Sequence, residues 1–438
     1  MMRVKRLSMA LLVFALLFAC CLPCPALSQE AETVDYAASI SLDMQSDTRK
    51  QAVTVKTFVD GDTTHFLVPE SVMADGVLKA RYLAVNTPES TGKIEEWGKA
   101  ASRFTKEKLE TAEEILIESD SAQWNVDSTS TRYLVWVWYR PKGEQGFRNL
   151  NIELLQNGLA IANSSAQNRY GETCMAAIAQ AKAQKLNIYS GEKDPDFFYG
   201  EAIELTLREL RLHPEAYDGK KVAFEGIVTV NHDNAVFIED YDEETGLYFG
   251  ITAYYGFNMS GGGLEVLTPG NEVRIVGTMQ YYEAGHTWQI AGMNYRMMKP
   301  KDPGNIQKLS DGHSPAWTEI TPEQFYSIVT IETDSGPETY EFAYLAQATS
   351  VLVKSVHIAQ SEEDTPGSLR IWTEADRLQS LEQGGEYSVL WVWIGTDLLQ
   401  SLDLKEDSLY DVRGIVGCDA QDNFRICVYT KDGVAILE

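Results

Sequence analysis

Beyond residue 52 the chain alternates apolar and polar positions in short runs, the period of half-buried strands. Val53 to Val59 is one run, Asp60-Gly61-Asp62 a turn, and His65 to Val68 and Val77 to Val85 are further strands. Ala100 to Thr111 changes to helical spacing, with Phe104 and Leu109 on an apolar stripe. Strands return at Ile115 to Glu118 and at Tyr133 to Tyr139, the latter dense in Trp and Val. Leu150 to Asn157 predicts a helix that stops at Gly158, and Thr173 to Leu186 predicts another. The pattern predicts a small barrel with helices packed on it.

Gly191 to Gly200, containing Asp194-Pro195-Asp196, reads as a linker. After it come a helix at Leu205 to Leu212 and strands at Lys221 to Val230, Ala235 to Glu239, Glu272 to Gln280 and Thr287 to Ala291. A third unit begins near Thr318, with a helix at Pro322 to Ser327 and strands at Thr349 to His357, Tyr387 to Ile394, Tyr410 to Gly417 and Phe424 to Tyr429. Val273-Arg274-Ile275-Val276-Gly277 and Val412-Arg413-Gly414-Ile415-Val416-Gly417 read as an internal repeat, whose glycines would let a strand bend around a barrel corner. The fold class expected is mainly β with packed helices. The divisions are residues 51–190, 201–305 and 318–438, with 191–200 as the linker and 29–50 as a mobile lead-in.

The first residues carry a different signal. Arg3, Lys5 and Arg6 precede the apolar run Met9 to Ala19, which is too short to span a bilayer. Residues 1–28 therefore read as a signal peptide cut after Ser28, and the protein as extracellular. Leu17-Phe18-Ala19-Cys20 offers lipid anchoring at Cys20 as the alternative. No other apolar run is long enough to predict a transmembrane span.

Charge separates the halves. The net charge is -27, and residues 191–438 hold 17 Lys and Arg against 42 Asp and Glu, while residues 51–190 hold 15 against 17. An acidic surface starts with a handicap on a polyanion, so the C-terminal half is expected to have a partner other than nucleic acid, of unknown kind. Glu239 to Glu244 reads as a solvated hairpin tip, and Trp391-Val392-Trp393 as a buried strand. Cys418 and Cys427 flank a predicted hairpin turn, where they could form a disulfide or stand as half-buried thiols.

Hydrolysis of a phosphodiester needs charge neutralisation on the phosphoryl oxygens and a carboxylate near the attacking water. A hard cation on oxygen ligands and forked arginines supply the first. Such groups stand near predicted strand ends: Asp60 and Asp62 in a turn, Arg81 in the strand leading to Asn86-Thr87-Pro88-Glu89, and Arg132 at the start of the aromatic strand. Taken singly, an Asp-Gly-Asp turn and a strand arginine are ordinary surface features.

The blocks Asp60-Gly61-Asp62-Thr63, Arg81-x-x-x-x-Asn86-Thr87-Pro88-Glu89, Glu96-Trp97-Gly98-x-x-Ala101, Arg132, Asn157-Gly158-Leu159-Ala160 and Ala179-Gln180-Ala181-Lys182-x-x-Lys185-Leu186-Asn187-Ile188-Tyr189-Ser190 follow in an order that resembles the staphylococcal nuclease (thermonuclease) family. The resemblance implies a five-stranded barrel of the oligonucleotide/oligosaccharide-binding (OB) type, and two generic OB-like barrels follow it. It implies a calcium-dependent endonuclease that hydrolyses DNA and RNA and leaves 3'-phosphates. Asp62, Asn86 and the Thr87 carbonyl would be the calcium ligands, supported by Asp60 and Thr63. Glu89 would activate water, and Arg81 and Arg132 would bind the phosphate. Asn86 replaces a family aspartate, which lowers the ligand charge. Thr129-Ser130, Ser164 and Ala166 replace a Lys-Tyr pair and tyrosines that grip substrate. The alternative reading is a catalytically impaired, nuclease-like binding protein that acts through its acidic barrels on a protein, glycan or cell-surface partner.

Overall fold

The computed structural model describes residues 33–257, 259–299, 301–333, 335–359, 366–383, 389–405, 408–419 and 421–437. The expected signal segment 1–28 with Cys20, residues 29–32 of the lead-in, and Tyr387 at the start of one expected strand lie outside the described residues. Of the unit Met1–Asp35, the described residues 33–35 are in no regular element; the rest of the chain, Tyr36–Glu438, clusters as one unit.

Three closed five-stranded barrels follow one another, the first over the nuclease-like segment. In the first, β1 (Lys50–Asp60), β2 (Thr63–Leu67), β3 (Val77–Tyr82), β4 (Ala112–Glu118) and β5 (Tyr133–Pro141) are arranged in the order β3-β2-β1-β4-β5, and a parallel pair β3–β5 closes the ring. Register shifts near Val55 and Phe58 bend β1, so that one strand pairs with β2 at one end and β4 at the other. Phe66, Leu78, Ile117 and Val135 fill the interior with no exposed surface. Each contributes about 1.5–3 kcal/mol of burial.

Helix α1 (Gly98–Glu110) turns Ala101, Thr105 and Leu109 to the barrel, positions one turn apart. Helices α2 (Leu150–Gln156) and α3 (Gly171–Ala183) cover another side. Asn149 caps α2 by accepting the Ile152 N–H.

The second barrel is built from β6 (Lys221–His232), β7 (Ala235–Asp242), β8 (Leu247–Tyr254), β9 (Glu272–Tyr282) and β10 (Thr287–Ala291). The third is built from β11 (Ser350–Ala359), β12 (Ser368–Thr373), β13 (Leu390–Trp393), β14 (Tyr410–Cys418) and β15 (Phe424–Cys427). All three repeat one connectivity: strands one, two and three are neighbours, five pairs in parallel with three, and four closes onto one. Strands β8 and β12 were not expected from the sequence.

The Val-Arg repeat falls on the fourth strand of barrels two and three, β9 and β14. A Cβ on Gly277 would stand 2.8 Å from the Ala291 carbonyl oxygen, and one on Gly414 would stand 2.5 Å from that of Cys427. These glycines let the fourth strand approach the fifth.

Several expectations are corrected. Glu239 is not part of a solvated tip: it is 1% exposed and accepts the N–H groups of Ala316 and Ser350, each at 2.7 Å, while Glu243 and Glu244 are exposed. Its carboxylate joins barrel two to barrel three. Trp391 faces outward, with the Arg370 guanidinium over its ring, and only Val392 between the tryptophans is buried. Of the two alternatives left open for Cys418 and Cys427, the structure has the free thiols, because their register partners are Phe424 and Ile415. Among the described residues no helix is long and apolar enough to cross a membrane.

Candidate active site

The Asp60–Thr63 turn is held from above by α1. A Cβ on Gly61 would stand 2.9 Å from Ala101 and from Thr87, and the Gly61 carbonyl accepts the Thr105 hydroxyl at 2.6 Å. Only glycine lets the turn lie this close beneath the helix. The two carboxylates then point to different tasks. Asp60 accepts from the Gly61 N–H at 2.7 Å, the Ser90 hydroxyl at 2.6 Å and the Ser90 N–H at 3.2 Å, tying the turn to the segment after Glu89. Asp62 is 1% exposed and accepts the Thr87 N–H at 2.9 Å and the Thr63 hydroxyl at 3.1 Å.

Strand pairing brings in the arginines. Antiparallel register sets Arg81 opposite Thr63, beside Asp62, and parallel register sets it beside Leu134, two residues past Arg132. Arg81 forms an ion pair with Asp62 and donates to Asn86 Oδ1 at 2.5 Å, so one guanidinium bridges two of the expected ligands. Burial, then the neighbouring charge of Arg132, lowers Arg81 from its ordinary value. Arg132 is held by Asp127, with Nε and Nη2 at 2.8 and 2.7 Å from one carboxylate oxygen.

Glu89 is exposed, yet its carboxyl is pushed up to about 7. Partial covering of the carboxyl is the main cause, followed by the charge of Asp60 and a hydrogen bond to it, then Glu95. That lies in the range where a carboxylate can exchange protons with water at neutral pH.

Asp62, Asn86 and Thr87 offer only hard oxygens, and the buried Thr87 hydroxyl has no hydrogen-bond partner. This set fits a hard divalent cation with one carboxylate and neutral oxygens. Among the described residues no group of three or more His, Cys, Asp or Glu side chains could hold a metal ion.

Sequence reasoning missed the residues that fix this geometry. Asn151 on α2 donates to the carbonyls of Leu83 at 2.8 Å and Val135 at 3.0 Å, and accepts the Val137 N–H at 2.9 Å, stitching β5 to the residue after β3. Asp127 aims Arg132 from the preceding loop, and its acid-before-arginine spacing was the one local signal available. Trp124 and Tyr133 are half-buried against the barrel core, and Trp136 and Trp138 are fully inside it. None of these four is placed as a free stacking platform.

Residues 79–191 match the family model described as Staphylococcal nuclease homologue. The matched segment holds Arg81, Asn86, Thr87, Glu89 and Arg132; the turn with Asp60 and Asp62 precedes it. The chain thus carries a domain of this family in its first barrel, with two further barrels after it.

Proposed function

We propose that the nuclease-homologue domain hydrolyses phosphodiester bonds of DNA and RNA with calcium, and that the protein works outside the cell that makes it. The observation that supports this reading is the convergence of Arg81, Arg132 and Glu89 on the rim of one barrel, beside an all-oxygen turn. Arg81 and Arg132 fork onto the phosphoryl oxygens and offset the charge that builds there. Glu89 takes a proton from water as its oxygen bonds to phosphorus. The bond to the 5' oxygen breaks, that oxygen takes a proton from solvent, and a 3'-phosphate remains. Asp62, Asn86 and Thr87 would hold calcium, which when bound would supply positive charge near the phosphate.

A zymogram on single-stranded DNA and on RNA, with calcium or with chelator, tests the proposal. Clearing that depends on calcium and disappears in Glu89→Gln is the expected result; equal clearing by Glu89→Gln removes the reading. One observation favours the second reading, a binding protein without turnover: the neutral Asn86 leaves a single carboxylate among three ligands. For export, the expected mature N-terminus is Gln29, and an intact mass showing a lipid-modified Cys20 would establish the anchored form instead.

A further inference from the structure

We infer that the second barrel is part of the catalytic apparatus, with Gln280 as a positioning residue for Glu89. The inference rests on the hydrolytic reading above. It starts from a contact between residues 188 positions apart in sequence. Gly92 donates its N–H to Gln280 Oε1 at 3.0 Å and accepts from Gln280 Nε2 at 2.7 Å. Gln280 is 4% exposed. A buried amide must find partners for both ends, and this one finds them on the two faces of a single residue's backbone.

Gly92 is the tip of the loop between Glu89 and α1. It lies at φ +66, a backbone region that favours glycine. The loop is closed on itself at its base: Glu95 N–H donates to the Glu89 carbonyl at 2.9 Å, and Glu89 N–H donates to Glu95 Oε2 at 3.3 Å. A grip on Gly92 therefore reaches Glu89 through three residues of a hydrogen-bonded loop. The far end is held too, where Trp97 N–H donates to the buried Asp194 carboxylate at 2.6 Å, so the expected linker clamps the loop.

The second barrel is shaped for this approach. Gln280 sits in register with Gln289 on paired strands, a rigid mount. A Cβ on Gly292, at φ +67, would stand 2.8 Å from the Gly92 carbonyl oxygen, so glycine is required there as well. Charge reinforces the seating. Lys99, Arg103 and Lys106 lie along one face of α1 and pair with Asp218, Asp196 and Glu283. Part of the acidic surplus of the second half thus faces the nuclease domain of its own chain.

Full-length parent, Gln280→Ala, Glu89→Gln and the double variant are compared on single-stranded DNA with calcium, together with amide exchange over residues 88–97. Gln280→Ala is expected to speed exchange in that segment. It should also lower kcat by about 10- to 100-fold with little change in KM, the effect of a catalytic group set adrift by about an ångström. In the Glu89→Gln background the same substitution should cost nothing further, since a residue acting through Glu89 has nothing left to position. Equal losses in both backgrounds, or unchanged exchange, would overturn the inference. Gln280→Met keeps the volume and serves if the alanine variant fails to fold. A parent that cuts neither DNA nor RNA overturns the hydrolytic reading alone, and the exchange arm then decides whether Gln280 holds the loop.

Discussion

Arg81 and Asp62 form an ion pair at the mouth of the first barrel, with side chains 14% and 2% exposed. Removing one member strands the other in a poorly solvated place. Asp62→Ala also takes the acceptor from the Thr87 N–H. It is expected to cost about 3–5 kcal/mol, the usual penalty for breaking a buried pair. Urea unfolding of the two proteins measures it; a loss under about 1 kcal/mol would show the pair to be solvated.

Glu89→Gln is expected to behave in the opposite way. Its carboxyl is crowded by Asp60 and Glu95, so neutralising it should leave the unfolding midpoint unchanged or higher. Turnover should fall by about two to four orders of magnitude, the weight of a positioned general base. Parallel activity and urea titrations separate these effects, and a turnover loss that tracks a stability loss would remove the catalytic role.

Asn86→Asp adds an anionic oxygen beside Asp62. Calcium affinity is expected to rise, on the order of tenfold, because ligand charge is a main control on such sites. Calorimetric titration reads the change directly. Unchanged or weaker binding would place Asn86 outside the ligand set, as a partner of Arg81 alone.

Glu239 gives the joint between barrels two and three a dependence on pH. Burial raises its carboxyl above the ordinary value, against the donors from Ala316 and Ser350. Between the unfolded value, about 4.3, and the folded one, the folded chain keeps a proton that the unfolded chain has released. Its contribution is therefore full below the unfolded value and is lost as pH rises through the folded one. Parent and Glu239→Gln stabilities, compared by denaturant unfolding across pH 4 to 8, should show the parent losing ground to the variant as pH rises. A constant difference would mean that folding does not raise the Glu239 carboxyl.

The local elements of the first barrel were legible because alternation and helical spacing are local. The spacing predicts a helix over Ala100 to Thr111 and Gly98–Glu110 is the helix; the run Val77 to Val85 predicts one strand, and it divides at Ala84, whose φ of 67 breaks it. Strand β8 was missed because Gly250 interrupts its pattern, and that glycine answers to another barrel: a Cβ there would stand 2.7 Å from the Ala348 carbonyl. The six-block resemblance pointed to Arg81, Glu89 and Arg132 and could not point to Asn151 or Gln280. Their partners are remote in sequence, and a buried amide reads in a sequence like any exposed one.

The separation of 188 residues between Gly92 and Gln280 also has a meaning in time. Chains are made from the N-terminus at about 5–20 residues per second, so about 10 to 40 s pass between the two residues during synthesis. Throughout that interval the loop bearing Glu89 exists without the amide that grips it. A chain that ends before the second barrel would therefore carry an unbraced Glu89, and the brace arrives with residue 280 of 438, while the third barrel is still to be made.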